Sequence, residues 1–225
     1  MKKILSLLMI LTLCFILVGC DDGPIPYKYD SYQARYNLEE LGRNEGFLIE
    51  YSYVGDENMF DEDEDELELN TITIAVKGSI TYMSMGTAAM YIDQSDESKI
   101  VVYLGMYNEM TNDYVWQKEE GTYSEMYEYL DYSTIYDYLI PDEELYGAYI
   151  SSKKTDYVCG RRCDKLVLCD EDGDSEEGSV VIYLDKEIGI CLKMVSEYSY
   201  GSKTYSSGLE CTRFETDPRI YLPNA

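Results

Sequence analysis

Histidine is absent from all 225 residues of this chain. Its absence removes Ser-His-Asp and Cys-His nucleophilic catalysis, His-ligated zinc and the usual neutral-pH proton shuttle in one step. Basic residues are scarce as well. Eighteen Lys and Arg stand against 44 Asp and Glu, a net charge of −26. Such a surface repels phosphate backbones and anionic headgroups, so nucleic acid is not expected as a partner. Tryptophan occurs once and phenylalanine four times, while tyrosine occurs 25 times. Tyrosine suits a half-buried pleated surface, because its ring packs while its hydroxyl reaches water; it also lines ligand grooves. The hydrophobic fraction of 45% is enough for one core of ordinary domain size.

The one long apolar run is at the N-terminus, "MKKILSLLMILTLCFILVGC". Lys2 and Lys3 make a positive start, and Ile4 to Val18 carries no charge. This is the layout of a secretory signal, yet no small-x-small cleavage pair closes it. Leu17-Val18-Gly19-Cys20 resembles the lipobox of bacterial lipoproteins. The resemblance implies that the Cys20 thiol receives a diacylglyceryl group and that the chain is cut before it. The competing reading is an uncleaved membrane helix, but the span is short for the ~20 apolar residues a bilayer needs. Two acyl chains hold a protein stably where one does not. The expected location is therefore the extracytoplasmic face of a cell membrane, with membrane lipid as the first partner. Loss of Lys2 and Lys3 takes the net charge from −26 to −28.

The mature chain retains Cys159, Cys163, Cys169, Cys191 and Cys211. Disulfides suit an exported protein, and an odd count leaves at least one thiol over. The spacing is not that of paired C-x-x-C zinc sites. Two acidic runs, Asp61 to Glu66 and Asp170 to Gly178, fail the calcium-loop pattern. Glu66 and Ser175 stand where the loop needs glycine. Both read as solvated loops, and no cofactor or metal site is expected. Carboxylate pairs cannot be nominated among 44 acids, and the Ser199–Lys203 pair meets the Ser-x-x-Lys spacing only if that spacing is relaxed. The chain is expected not to be an enzyme.

Periodicity supplies the organisation: a signal over 1–19, a Pro- and Gly-bearing tether over 20–34, one domain over 35–217 and a tail over 218–225. Ser31 to Leu41 reads as a short helix capped by Ser31 and stopped at Gly42, with Tyr32, Tyr36, Leu38 and Leu41 on its apolar side. From Gly46 the period becomes two, with Phe47, Ile49, Tyr51 and Tyr53 on one face. Strands follow near 71–77, from Ile80, and near 88–92, 100–107 and 114–117, with Gly78 as a bulge or bend. Thr122 to Glu125 is a capping-box pattern. It opens a helical stripe of Tyr123, Met126, Tyr127 and Leu130, continued by Ile135, Tyr138 and Leu139 to Pro141. Strands resume near 165–169, 180–184, 190–195 and 205–211. Strands, then helices, then strands at short spacing give an α+β class: a curved, mainly antiparallel sheet with helices packed on one face.

That order resembles the half-barrel of the bacterial lipoprotein-carrier (Lol-type) family and related lipid-carrying lipoproteins. "VCGRRCDKLVL" at 158–168 looks like a Gly-marked strand of that family, and "VIYLDKEIGICLKM" at 181–194 looks like its hairpin. The resemblance implies a cavity for a hydrophobic or acylated ligand between sheet and helices. The residues nominated to line it are Phe47, Ile49, Tyr51 and Tyr53 with Tyr123, Met126, Tyr127 and Leu130. Those carriers are soluble, whereas this chain carries an anchor, which suits a receptor or acceptor better than a shuttle. The alternative is an anchored protein-interaction or sensor module with a filled core and no ligand.

Overall fold

The computed structural model describes residues 25–55, 71–126, 139–141, 145, 148–169, 179–200 and 203–224. The lipobox with Cys20, both acidic runs, Tyr127 and Leu130 lie outside them. The described strands form one twelve-stranded antiparallel sheet, open and curved like half a barrel. β1 (Ile25–Pro26) and the helix α1 (Ser31–Asn44) precede β2 (Phe47–Gly55), β3 (Thr71–Lys77), β4 (Ile80–Met85), β5 (Ala88–Asp93), β6 (Ile100–Asn108) and β7 (Asp113–Gly121). β8 (Tyr149–Val158), β9 (Arg161–Cys169), β10 (Ser179–Asp185), β11 (Cys191–Tyr200) and β12 (Lys203–Thr216) make a second meander. The order across the sheet is β1-β8-β9-β10-β11-β12-β2-β3-β4-β5-β6-β7. The last strand pairs with the first long one, so the two meanders fuse into a single surface.

Leu139 is helical as well, but α1 is the one α-helix with a described span. Its cap is Asp30, not Ser31: the Asp30 carboxylate accepts the Gln33 amide at 2.9 Å. Gly42 does not stop it. A Cβ there would stand 2.9 Å from the Val76 side chain, so glycine lets the helix lie close on β3. The exit comes at Gly46, whose φ of 86° releases the chain into β2. The buried side is Ala34, Leu38 and Gly42, while Tyr32 and Tyr36 face water. Gly78 is likewise no bulge; Lys77 pairs with Ile80, so Gly78 and Ser79 are a two-residue hairpin turn.

The main core gathers Leu38 of α1 with Phe47, Ile49, Tyr51, Ile72 and Ile74, and with Leu139, Ile190, Leu192 and Cys211. Leu139, from the region read as a helical insertion, is thus buried in the core that contains the Phe47 face. A second cluster holds Tyr27 with Leu166, Leu168, Ile182 and Cys191. Register shifts at Tyr183/Leu184 in the β10–β11 pair and at Cys211/Arg213 in the β12–β2 pair mark bulges, which sharpen local twist. Next to the first of them β11 and β12 run unusually close. A Cβ at Gly208 would stand 2.0 Å from the Met194 carbonyl oxygen. Gly208→Ala must therefore push the two backbones apart and should cost at least about 3 kcal/mol. Urea unfolding measures it; a loss under about 1 kcal/mol contradicts this packing.

Candidate ligand-binding face

Directly paired residues on antiparallel strands share a face of the sheet. The face bearing Tyr51 and Ile49 can therefore be followed outward strand by strand. Tyr51 pairs with Ile72, Ile72 with Met85, Met85 with Ala88, Ala88 with Met106 and Met106 with Val115. One step along the strands, Ile49 leads to Ile74, Met83, Met90 and Leu104, and ends at Gln117. The first row begins inside the core and ends in solvent. Ile72 is 6% exposed, Met106 61% and Val115 59%. In the second row Ile74 is fully buried, while Met83, Met90 and Leu104 are half-buried. Four methionines thus carry the core outward as an open apolar face. Methionine is flexible and polarisable, and it moulds to irregular partners.

The other face of β4–β7 is occupied by its own aromatic rings. Tyr82, Tyr91, Trp116, Tyr114 and Tyr107 form a chain with successive centroids 4.5, 5.2, 5.4 and 5.6 Å apart. Trp116 lies over Gly105, where a Cβ would meet its ring at 2.7 Å. The tyrosine excess is spent in part here, on a half-buried sheet surface.

A shallow groove of about 220 Å³ crosses β10–β12 and β2, floored by Val54, Val181 and Val195. Lys165 and Lys193 lie 5.2 and 5.6 Å from the Tyr183 ring centre. Its charges are answered locally. Lys193 pairs with Glu210 at 2.6 Å, and the Tyr183 hydroxyl holds the Lys165 ammonium above its ordinary pKa. The groove is small, and no excess charge of one sign is left in it.

The residues nominated from sequence fall into separate places. Phe47, Ile49 and Tyr51 are sealed in the main core beneath α1, where the Tyr51 hydroxyl donates to the Cys191 carbonyl at 2.7 Å. Tyr53 donates to the Ser207 hydroxyl at 2.9 Å. Met126 joins a different cluster with Ile92, Ile100 and Val102. Tyr123 is 64% exposed. Of the stripe, Met126 thus sits with β5 and β6, while Leu139 sits with Phe47, Ile49 and Tyr51; Tyr127 and Leu130 lie outside the described residues. The Glu125 carboxylate does fold back onto the Thr122 amide at 2.8 Å, as a capping box requires. That turn drops Met126 beside Gly121 at the end of β7, not over β2. Met83, Met85, Met90 and Met106 were not nominated. Met83 and Met85, two apart on a strand, are the one local sign of them.

No family model matches this chain, and no curated protein matches it. Solved structures with a similar course include MucB, at TM-score 0.37 and 12% identity over 85% of this chain and 60% of that one. The MucA/MucB complex of Pseudomonas aeruginosa gives 0.35 and 12% over 85% and 59%. A putative outer membrane lipoprotein-sorting protein domain from Vibrio parahaemolyticus gives 0.21 and 9% over 85% and 92%. The chain spans about three fifths of the MucB chains it matches. Scores of this size establish neither ligand nor partner.

Proposed function

We propose that this is a lipid-anchored extracytoplasmic protein, non-enzymatic, that binds a hydrophobic or acylated ligand on the methionine-lined face of β4–β7. One observation carries the reading: the apolar row from Ile72 through Met85 and Ala88 to Met106 and Val115 leaves the core without being closed. Exposed apolar surface continuous with a core is characteristic of ligand and partner sites. At ~4.8 Å between strands, β4 to β7 spans roughly 14 Å, about the length of a twelve-carbon acyl chain. The expected anchor at Cys20 supports the location, and no helix among the described residues is long and apolar enough to cross a membrane.

Titration of the unacylated domain with a fluorescent fatty acid tests this. Wild-type protein should bind saturably at one defined stoichiometry. Met106→Lys with Val115→Glu, an opposite-charge pair across β6–β7, should weaken binding at least about tenfold, since each buried apolar side chain contributes roughly 1.5–3 kcal/mol. Both residues are exposed in the free protein, so its unfolding midpoint should hardly change. Equal affinity in the double variant, or no binding by either protein, overturns the reading.

A protein-interaction module is favoured by a different observation. β7 ends the strand order, so among the described residues no strand pairs with its outer backbone edge, which offers strand addition beside exposed Val115. A failed fatty-acid titration moves the weight to that reading.

A further inference from the structure

The five cysteines of the domain are all thiols here, and they are not alike. Cys163, Cys169, Cys191 and Cys211 are buried; Cys159 is only partly so. Cys159 sits at the tip of the β8–β9 hairpin. Val158 pairs with Arg161, so Cys159 and Gly160 are the two turn residues, at φ 49° and 74°. Both positions of such a turn favour Gly, Asn or Asp, and a side chain branching from the left-handed region is strained. Backbone conformation is thus no reason for cysteine at this tip; its side chain is.

That side chain reaches across the sheet. The Cys159 sulfur lies 2.6 Å from the carbonyl oxygen of Cys211, on β12, although β9, β10 and β11 intervene in the strand order. The contact has independent support two residues on. The Arg161 guanidinium stacks on Phe214 of β12, 4.3 Å from the ring centre. Arg161 is itself fixed by Asp185. The hairpin tip is therefore held against β12 by groups other than the thiols. Burial pushes the Cys211 thiol up, and the Cys159 thiol beside it pushes it further.

We infer that Cys159 and Cys211 form a disulfide in the exported protein, tying the β8–β9 tip to β12. The inference rests on the extracytoplasmic location proposed above, which supplies the oxidising compartment. The chemistry is thiol–disulfide exchange with a disulfide-bearing oxidant. Cys159, the more accessible sulfur, loses its proton and attacks one sulfur of the oxidant; the oxidant's S–S bond breaks and its other sulfur leaves as a thiolate. Cys211 then loses its proton and attacks the Cys159 sulfur, expelling the second thiolate. The protein gives up two protons and two electrons, and the oxidant becomes two thiols. Burial raises the Cys163 and Cys191 thiols as it raises that of Cys211, so selection comes from position: Cys159 is the partly exposed sulfur, and it is Cys211 that it reaches.

Reduced, purified protein incubated with oxidised glutathione and digested without reductant tests this. The Cys159 and Cys211 peptides should appear joined, about 2 Da lighter than their reduced sum, and the unfolding midpoint should rise by roughly 10 °C. Cys159→Ser, at an accessible tip, should fold normally and abolish both changes. If both thiols remain open to iodoacetamide, or Cys159 joins another cysteine, the inference fails and the ligand reading is untouched. Cells quenched in acid and alkylated should yield the joined pair. If the bridge forms in the tube but cellular protein is fully reduced, the inference fails together with the proposed compartment.

Discussion

Replacing Asp185 with alanine should destabilise the domain by about 3–5 kcal/mol, the cost of removing one partner of a buried, hydrogen-bonded ion pair. Asp185 is 3% exposed and stands alone in the core as a buried charge among the described residues. Its carboxylate accepts from Arg161 Nε at 2.5 Å and Nη2 at 3.0 Å. It also accepts the amides of Glu187 and Ile188 at 2.9 and 2.7 Å, closing the β10–β11 turn. The turn then serves as a dock for the N-terminal segment. Asn37 donates to the Ile188 carbonyl and Tyr29 to that of Gly189, both at 3.0 Å. Alanine would leave two amides and a guanidinium without their acceptor. For a domain of this size the thermal midpoint should fall by roughly 10 °C. Glu187→Ala removes the exposed partner of the same Arg161 and should cost under about 0.5 kcal/mol. Two such unfolding curves that coincide would contradict the role given to Asp185.

The second large effect concerns location. Cys20→Ser should move essentially all of the protein from the membrane pellet to the soluble fraction, or leave an uncut precursor. On the proposed reading, two acyl chains at ~0.8 kcal/mol per buried CH₂ would supply stable anchoring. Nothing in the acidic domain replaces them, since a charge of this sign is repelled by anionic headgroups. Fractionation with a size measurement checks the outcome. A Cys20→Ser protein that still pelleted at the processed size would contradict the lipobox reading.

The strands were legible where one face is buried and the other wet, because that pattern writes period two into the sequence. β2, β3 and β5 appear near their read positions for that reason. β8 was not legible. Its ten residues, YISSKKTDYV, are exposed almost throughout and carry no apolar alternation; pairing with β9 makes it a strand. Gly42 was misread, and Gly78 reads only as bulge or bend, because glycine marks several things. At Gly42 it marks a close helix–sheet approach, and at Gly78 a tight turn. The methionine face was illegible for a deeper reason. Met85, Ala88, Met106 and Val115 are neighbours only through the registers of three hairpins, and no local window contains them. Of the Tyr123–Leu130 stripe, Tyr123 is exposed and Met126 packs on Ile92, Ile100 and Val102 of β5 and β6, a partner that helical spacing alone does not name.

The most direct test of the account is to watch the methionine methyl groups while ligand is added. In protein labelled with ¹³C at the methionine methyls, a fatty acid should shift the signals of Met83, Met85, Met90 and Met106 together, saturating at one stoichiometry. The signal of Met194, on β11 in the other meander, should stay in place. Shifts confined to Met194, or no saturable shift at any of the four, would contradict a ligand site on this face.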